Sequence, residues 1–196
     1  MEYSKNMDMP EVNDLVRSNV LKELFMPFVK YSLDVANNVL IVVAAGNEAK
    51  DVSSGVVSFP CQLRTGNVLC VGSVNKKLEI SDVSNRGLQF VDVFAPGEHI
   101  KSSVPVETAS DRSDPYEIMS GTSQATAFVT NLSAKLMLIK PCLSSRNVVE
   151  IITKTAVEKT ANVRVGNMKA SQLYKYKIVN PNAAISIASK FVCNSK

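Results

Sequence analysis

Val39-Leu40-Ile41-Val42-Val43-Ala44-Ala45 is a continuous run of apolar residues. It is preceded by Asn37-Asn38 and followed by Gly46-Asn47, residue types that commonly end regular structure. A strand covered on both faces of a parallel sheet has this composition, because neither of its faces meets water. Residues 68–74 and 90–94 repeat the pattern more weakly. The three runs together predict a mostly parallel sheet.

Helical spacing of apolar residues alternates with these strands, which favours an α/β fold with helices on both faces of the sheet. Residues 11–37 have apolar side chains at helical spacing. Further predicted elements are a long buried helix over 122–140 stopped by Pro141, an amphipathic helix over 145–155 with a serine cap, a small hairpin over 163–177, and a last helix opened by Pro181.

The composition is that of one globular unit. The chain has 196 residues, 45% hydrophobic and 20% charged, and it contains no repeat or low-complexity linker, so we expect a single domain over residues 1–196. The net charge of +4 is small and scattered, which argues against a nucleic-acid partner. No apolar run approaches the roughly 18 residues that cross a bilayer. The first ten residues are too polar for a signal peptide.

The four cysteines are Cys61, Cys70, Cys142 and Cys193. They have no Cys-x-x-Cys spacing and no histidine cluster nearby, so a zinc site is not expected. An even number suits an oxidising compartment, and we expect one disulfide, although Cys70 also fits a small core residue of a strand.

Two polar turns carry the candidate chemistry. Gly121-Thr122-Ser123 opens the long helix, and Asn47 follows the first strand. A serine hydroxyl becomes a nucleophile when a base takes its proton and when donors stabilise the oxyanion formed on the attacked carbonyl. Ser123 is therefore the candidate nucleophile, and the Asn47 carboxamide is the candidate oxyanion donor. Taken singly, each motif is more typical of a helix cap or a turn.

Several blocks in order resemble the subtilisin-like serine proteases, the subtilases or peptidase S8 family. The resemblance extends over about residues 35–190. It implies a partial subtilisin-like three-layer fold. It also implies the activity of a serine endopeptidase, which hydrolyses peptide bonds through an acyl-enzyme. The blocks are Ala44-Ala45-Gly46-Asn47-Glu48, Asn67-Val68-Leu69-Cys70-Val71-Gly72-Ser73-Val74, Ile80-Ser81-Asp82-Val83-Ser84-Asn85-Arg86-Gly87, Val91-Asp92-Val93-Phe94-Ala95-Pro96-Gly97 and Gly121-Thr122-Ser123-Gln124-Ala125.

The sequence departs from the family in its triad. The family's aspartate and histidine motifs are absent, the only histidine, His99, falls where the family has an ordinary strand residue, and Asp92 and Asp111 have no motif context. The resemblance thus implies that the N-terminal half with Asp and His is missing and that this chain alone is inactive. The resemblance therefore implies two partners. One is the missing Asp- and His-bearing segment, in cis or in trans, and the other is a protein or peptide substrate. The family's substrate-binding strand has the sequence Ser-Leu-Gly-Gly, and only Asn6-Met7 resembles a remnant of it here. The substrate-binding residues therefore stay unknown.

A non-catalytic, subtilase-derived interaction module is the alternative interpretation, favoured by the missing triad residues and by Ala127, Phe128 and Asn131 in place of the family's proline, histidine and glycine. A dinucleotide-binding domain is excluded, since no Gly-x-Gly-x-x-Gly follows the first strand. We expect no cofactor. Structural calcium is implied by the resemblance alone, as no Asp-rich loop has ligand spacing. Secretion of the full-length protein is likewise implied by the resemblance, because members of the family are commonly secreted.

Overall fold

The computed structural model describes residues 23, 25–36, 38–52, 60–87, 89–164 and 171–193. Its helices are α1 (Met26–Val35), α2 (Thr122–Ile139), α3 (Ser145–Thr155) and α4 (Pro181–Ser189), with a short 3-10 helix at Cys61–Leu63. Its strands are β1 (Ile41–Ala44), β2 (Val68–Val74), β3 (Val93–Pro96), β4 (Ile100–Ser103), β5 (Tyr116–Met119), β6 (Val157–Arg164) and β7 (Ser171–Ile178).

The main sheet has five described strands in the order β1-β2-β3-β7-β6. The pairs β1–β2, β2–β3 and β3–β7 are parallel, whereas β6 pairs antiparallel with β7. A separate antiparallel hairpin joins β4 to β5. Because parallel strands end at a common edge, Ala44, Val74 and Pro96 deliver the chain to one side of the molecule. The prediction of an α/β fold with a mostly parallel sheet is confirmed.

The core lies on both faces of this sheet. On one face Leu69, Val71 and Ala95 pack with buried residues of α2, α3 and α4. On the opposite face Cys70 and Phe94 pack with Tyr174 and Tyr176, and the Phe94 and Tyr176 rings meet edge to face at 5.5 Å. The described helices α2, α3 and α4 therefore share one face, and a helix layer on the second face stays a prediction.

The strand predicted over 68–74 and the helix predicted over 145–155 are present with those bounds, whereas other predicted elements have shifted ends. The strand expected over 90–94 is Val93–Pro96 instead, because the N–H groups of Phe90 and Val91 both donate to the Gly87 carbonyl and close a turn there. The expected hairpin begins earlier, at Val157, and its second strand joins the main sheet beside β3. The part of the predicted first helix over 11–22 lies outside the described residues.

Two disulfides are present, Cys61–Cys70 and Cys142–Cys193. The expectation of a single disulfide was therefore wrong. Cys70 is both a disulfide partner and a fully buried core residue, since it lies in β2 with none of its surface exposed. The two interpretations of Cys70 are thus compatible.

Helix α1 has no buried residue. Phe25, Phe28, Tyr31 and Val35 recur at helical spacing, and each of them is between 58% and 70% exposed. The end of the helix is attached to the sheet through the buried Asn67, whose Nδ2 donates to the carbonyls of Leu33, Ala36 and Val39 at 3.0–3.1 Å. An apolar stripe is thus fixed in position and left uncovered by the rest of the described chain. None of the described helices is both long enough and apolar enough to cross a membrane.

We expect the isolated chain to self-associate through this stripe and to be marginally stable, because each exposed aromatic side chain gains about 1.5–3 kcal/mol on burial. Phe28→Glu should shift the chain toward monomer in analytical ultracentrifugation. Lys30→Glu is the matched control, since it adds the same side chain to α1 outside the stripe. A monomeric wild-type chain with a sharp, cooperative melt would contradict this expectation.

Candidate functional site

The carboxyl edge of the parallel sheet brings three separate segments together. Strand β1 ends at Ala44 and leads to Gly46 and Asn47, and strand β3 ends at Pro96 and leads to Gly97. The third segment is the turn before α2, where the Gly121 N–H donates to the Gly97 carbonyl at 2.7 Å. The two polar turns singled out in the sequence therefore meet at this edge.

The side chain of Asn47 is bound directly to the first residue of α2. Its Oδ1 accepts from the Thr122 N–H at 2.9 Å and from the Thr122 hydroxyl at 3.0 Å. The same hydroxyl accepts from the Gly46 N–H at 3.2 Å. Because both bonds occupy the carboxamide oxygen, the NH₂ group of Asn47 is left as a donor. Its nitrogen lies 3.2 Å from the place where a Cβ on Gly121 would stand, so it borders the turn that carries Ser123.

Gly121 gives the turn a conformation that other residues avoid. Its φ of +154° and ψ of 174° belong to a region used almost only by glycine. The abrupt turn lets α2 begin at Thr122 without a side-chain cap at its N-cap residue. Ser123, the second residue of α2, is exposed. The Asn47 Oδ1 binds the Thr122 N–H of the first turn, and the positive end of the helix dipole lies beside Ser123.

The start of α2 is also fixed by close packing on Gly97. A Cβ at position 97 would lie 2.6 Å from the Gly121 carbonyl oxygen and 2.6 Å from the Ser73 Cβ, distances that real side chains do not tolerate. Buried Ala125 packs against the same point at 3.1 Å. The strand end and the helix start therefore touch without an intervening side chain, which sets the height of Ser123 above the sheet.

His99 is not brought to the serine. It is exposed, has a left-handed φ of +55°, and its backbone N–H donates to the Ser120 hydroxyl at 2.9 Å. Its surroundings are a cavity of about 300 Å³ that it shares with Asn75, Lys76, Lys77 and Glu98. In the described part of the chain, no hydrogen bond joins the His99 side chain to Ser123.

The two aspartates considered with His99, Asp92 and Asp111, have other hydrogen-bond partners. Asp92 precedes β3 while Gly97 follows it, a separation of about 16 Å along an extended chain. The Asp92 carboxylate accepts from the Cys70 N–H and from Arg64, both at 2.8 Å. Burial raises the pKa of Asp92 above its ordinary value, although these two partners oppose the shift. Asp111 lies in the loop between β4 and β5, where it accepts hydrogen bonds from Ser113.

A cavity of about 470 Å³ lies around Asp92, and neither Asn47 nor Ser123 lines it. Among the residues that the structure describes, no group of three or more His, Cys, Asp or Glu side chains could hold a metal ion. The carboxylate of Asp92 is already occupied by Arg64. Within the described ranges there is therefore no carboxylate-rich calcium site, and calcium stays a prediction of the resemblance.

Sequence reasoning placed Ser123 and Asn47 together but gave no role to Thr122. The signal was available, since Thr122 stands between the required Gly121 and the candidate nucleophile. What the sequence could not give is the partner of its hydroxyl, which lies 75 residues away at Asn47.

Comparison with known proteins agrees with this architecture. The sequence model of the subtilase family, Peptidase_S8, matches residues 16–176. Subtilisin-like protease 1 of the fungus Pseudogymnoascus destructans is 37% identical over 129 residues, which cover 63% of this chain and 29% of that protein. Subtilisin-like protease 2 of Plasmodium falciparum is 31% identical over 135 residues, 66% of this chain and 9% of that protein.

Among solved structures, a cold adapted subtilisin-like serine proteinase superposes with a TM-score of 0.52 and 26% identity, covering 72% of this chain and 44% of that one. The matched region of this chain thus spans less than a third of the length of the two curated relatives above. The expected resemblance to subtilisin-like proteases, in sequence and in fold, is confirmed.

The contact between Gly97 and Gly121 can be tested by adding one methyl group. Gly97→Ala should lower the free energy of unfolding by about 1–3 kcal/mol, since overpacking displaces either α2 or β3. Gly66→Ala is the matched control, because its new Cβ would meet only the exposed, flexible side chain of Arg146 and should cost far less. Urea unfolding of both variants measures the difference. Equal costs at the two positions would show that the contact does not constrain α2.

Proposed function

The chain belongs to the subtilase family of serine proteases, and from this premise we propose that it is the serine-bearing part of a subtilisin-like endopeptidase. The observation that carries the proposal is the bond between the Asn47 carboxamide and Thr122, the residue next to Ser123. It supports the proposal because it joins the loop that carries Asn47 to the helix start that carries Ser123. A nucleophile and an oxyanion donor are two of the groups that acyl transfer needs, and here they belong to residues on either side of this bond.

In the proposed reaction the Ser123 oxygen attacks the carbonyl carbon of a peptide bond. As the new C–O bond forms, a base takes the hydroxyl proton, and the oxygen of the carbonyl becomes an oxyanion held by the Asn47 NH₂ group and the Ser123 N–H. Collapse of the intermediate breaks the C–N bond, and the same proton goes to the leaving amine. Water then repeats the sequence on the acyl-enzyme and releases the acid.

The base of the proposed reaction comes from a segment outside these 196 residues. The chain contains one histidine, His99, and in the described part of the chain it hydrogen-bonds through its backbone N–H. We therefore propose that the chain alone is inactive and that an Asp- and His-bearing segment completes it, in cis or in trans.

The open side of α2 is consistent with such a partner. Ser123, Ala127 and Asn131 follow one another at spacings of four residues and are all exposed, so one face of the helix is free along two turns. Strand β1, which leads to Asn47, is an edge strand of the described sheet. An edge next to an exposed helix face is a surface on which a further strand and its loops could pack.

The substrate class follows from the family and is protein or peptide, while no residue of this chain is assigned to a specificity pocket. We further propose a secretory location for the full-length protein. The two disulfides, Cys61–Cys70 and Cys142–Cys193, support an oxidising compartment.

The alternative function is that of a non-catalytic subtilase-derived module that binds another protein. The observation in its favour is the position of His99, whose side chain makes no described contact with Ser123. In this alternative the exposed face of α2 and the apolar stripe of α1 would be interaction surfaces.

A fluorophosphonate probe separates the two functions, because it reacts only with an activated serine. The full-length protein that contains these residues should be labelled at Ser123, Ser123→Ala should abolish labelling, and this chain alone should stay unlabelled. Asn47→Ala should slow labelling by about 10²–10³-fold, a range taken from the oxyanion donor of subtilisin itself, a relative of this chain. A full-length protein that remains unlabelled would refute the protease and favour the module.

A further inference from the structure

Asn85 lies in the segment between β2 and β3, and it is 3% exposed. Its side-chain amide and its backbone N–H are directed at a single loop, residues 45–50, which carries Asn47. Its Nδ2 donates to the Ala45 carbonyl at 2.9 Å and to the Glu48 carboxylate at 2.5 Å. Its Oδ1 accepts from the N–H groups of Glu48 at 3.2 Å and Lys50 at 2.9 Å.

The backbone of Asn85 adds a further bond, because its N–H donates to the Gly46 carbonyl at 2.9 Å. Gly46 and Glu48 are the two chain neighbours of Asn47, so Asn85 grips the loop on both sides of the candidate oxyanion donor. The loop needs such support, since β1 ends at Ala44 and ladder pairing ends with it. The Ala45 N–H still donates to the Val71 carbonyl of β2 at 2.9 Å, and beyond Ala45 the loop is held by the segment around Asn85 and by Thr122.

The conformation of the loop matches its contact with Asn85. Gly46 has a φ of +100°, and a Cβ at this position would lie 2.5 Å from the Asn85 Nδ2. Glycine is therefore required both by the backbone and by the proximity of Asn85. Among uncharged side chains only an amide offers two N–H donors, here to the Ala45 carbonyl and the Glu48 carboxylate, together with an oxygen that accepts from two N–H groups.

We infer that Asn85 is a positioning residue, which holds the 45–50 loop so that the Asn47 carboxamide meets Thr122 and presents its NH₂ group beside Ser123. Its importance for catalysis rests on the proposed function, whereas its positioning role can be measured without catalysis. Asn85 and Thr122 act from opposite sides, the first on the backbone around Asn47 and the second on its side chain.

The structural consequence can be followed at an amide that Asn85 does not touch. The Thr122 N–H is protected by its bond to the Asn47 Oδ1, so it reports the place of that carboxamide. The Asp92 N–H, which donates to the Cys70 carbonyl at 3.0 Å near the amino end of the sheet, is the internal reference. In this chain, Asn85→Ala should accelerate hydrogen exchange of Thr122 by at least about 10-fold relative to Asp92, a degree of local opening independent of global stability.

Asn67→Ala is the matched control. Asn67 is also a buried asparagine, 2% exposed, whose side chain bonds to three carbonyls, but it holds the end of α1. This variant should destabilise the chain comparably and leave the exchange ratio of Thr122 to Asp92 unchanged. An unchanged ratio in Asn85→Ala would overturn the inference, as would an equal rise of the ratio in both variants.

Asn85→Asp provides a second variant if Asn85→Ala does not fold. It keeps the acceptor for Glu48 and Lys50, but it loses the donor to Ala45 and sets a carboxylate against that of Glu48. In Asn85→Asp the ratio of the hydrogen-exchange rate at Thr122 to that at Asp92 should rise above the wild-type value. A ratio equal to that of the wild type would count against the inference.

The full-length protein adds a readout that a purely structural role would not move. Asn85→Ala should lower kcat by up to about 10²-fold with little change in KM, since a displaced donor weakens the transition state more than the bound substrate. Failure of Ser123 to react would refute the proposed function and leave the exchange result standing. Conversely, Ser123 could react while Asn85→Ala leaves the ratio of hydrogen exchange at Thr122 to that at Asp92 unchanged. That result would refute only the positioning role.

Discussion

The bond between the Asn47 carboxamide and the first residue of α2 is the constraint on which the site depends. It joins a loop after β1 to a helix that begins 75 residues later, and it fixes the oxygen of the carboxamide with two donors from Thr122. The nitrogen is left as the free end of the group. A single contact thus determines where the helix starts, which way the amide faces and how close Ser123 comes to it.

Two kinds of support keep this contact in place. Beneath the helix, Gly97 and Gly121 let two backbones approach until the N–H of one bonds to the carbonyl of the other at 2.7 Å. Behind the loop, Asn85 satisfies the backbone groups on either side of Asn47. Glycine serves where a side chain would not fit, and asparagine serves where buried N–H and carbonyl groups must both find partners. Both supports lie at the edge where parallel strands end, the usual place for sites in α/β folds.

Much of this arrangement could be predicted from the sequence, where local pattern decides the structure. The block at Val68–Val74 is a strand buried along its whole length, as its composition predicts. The apolar run around Ile41–Ala44 is also a strand, but the expectation that it is buried on both faces was wrong, because it is half-buried at the edge of the described sheet. Ser144 and Asn180 cap α3 and α4 by local hydrogen bonds. The ordered motifs also brought Ser123 and Asn47 to one edge. The β4–β5 hairpin was missed because its residues are mostly exposed and lack alternation. Other features depend on long-range contacts, namely the entry of β7 beside β3, the pairing of the cysteines and the attachment of Asn85 to the 45–50 loop.

The coupling between Asn47 and Thr122 tests the central claim most directly. A double-mutant cycle with Asn47→Ala and Thr122→Val, read by urea unfolding at low protein concentration, isolates their interaction energy from the cost of each substitution. Two side chains that share a hydrogen bond should show a coupling of about 1 kcal/mol or more. Substitutions whose effects add within about 0.3 kcal/mol would contradict the account, because the carboxamide and the helix start would then be held independently.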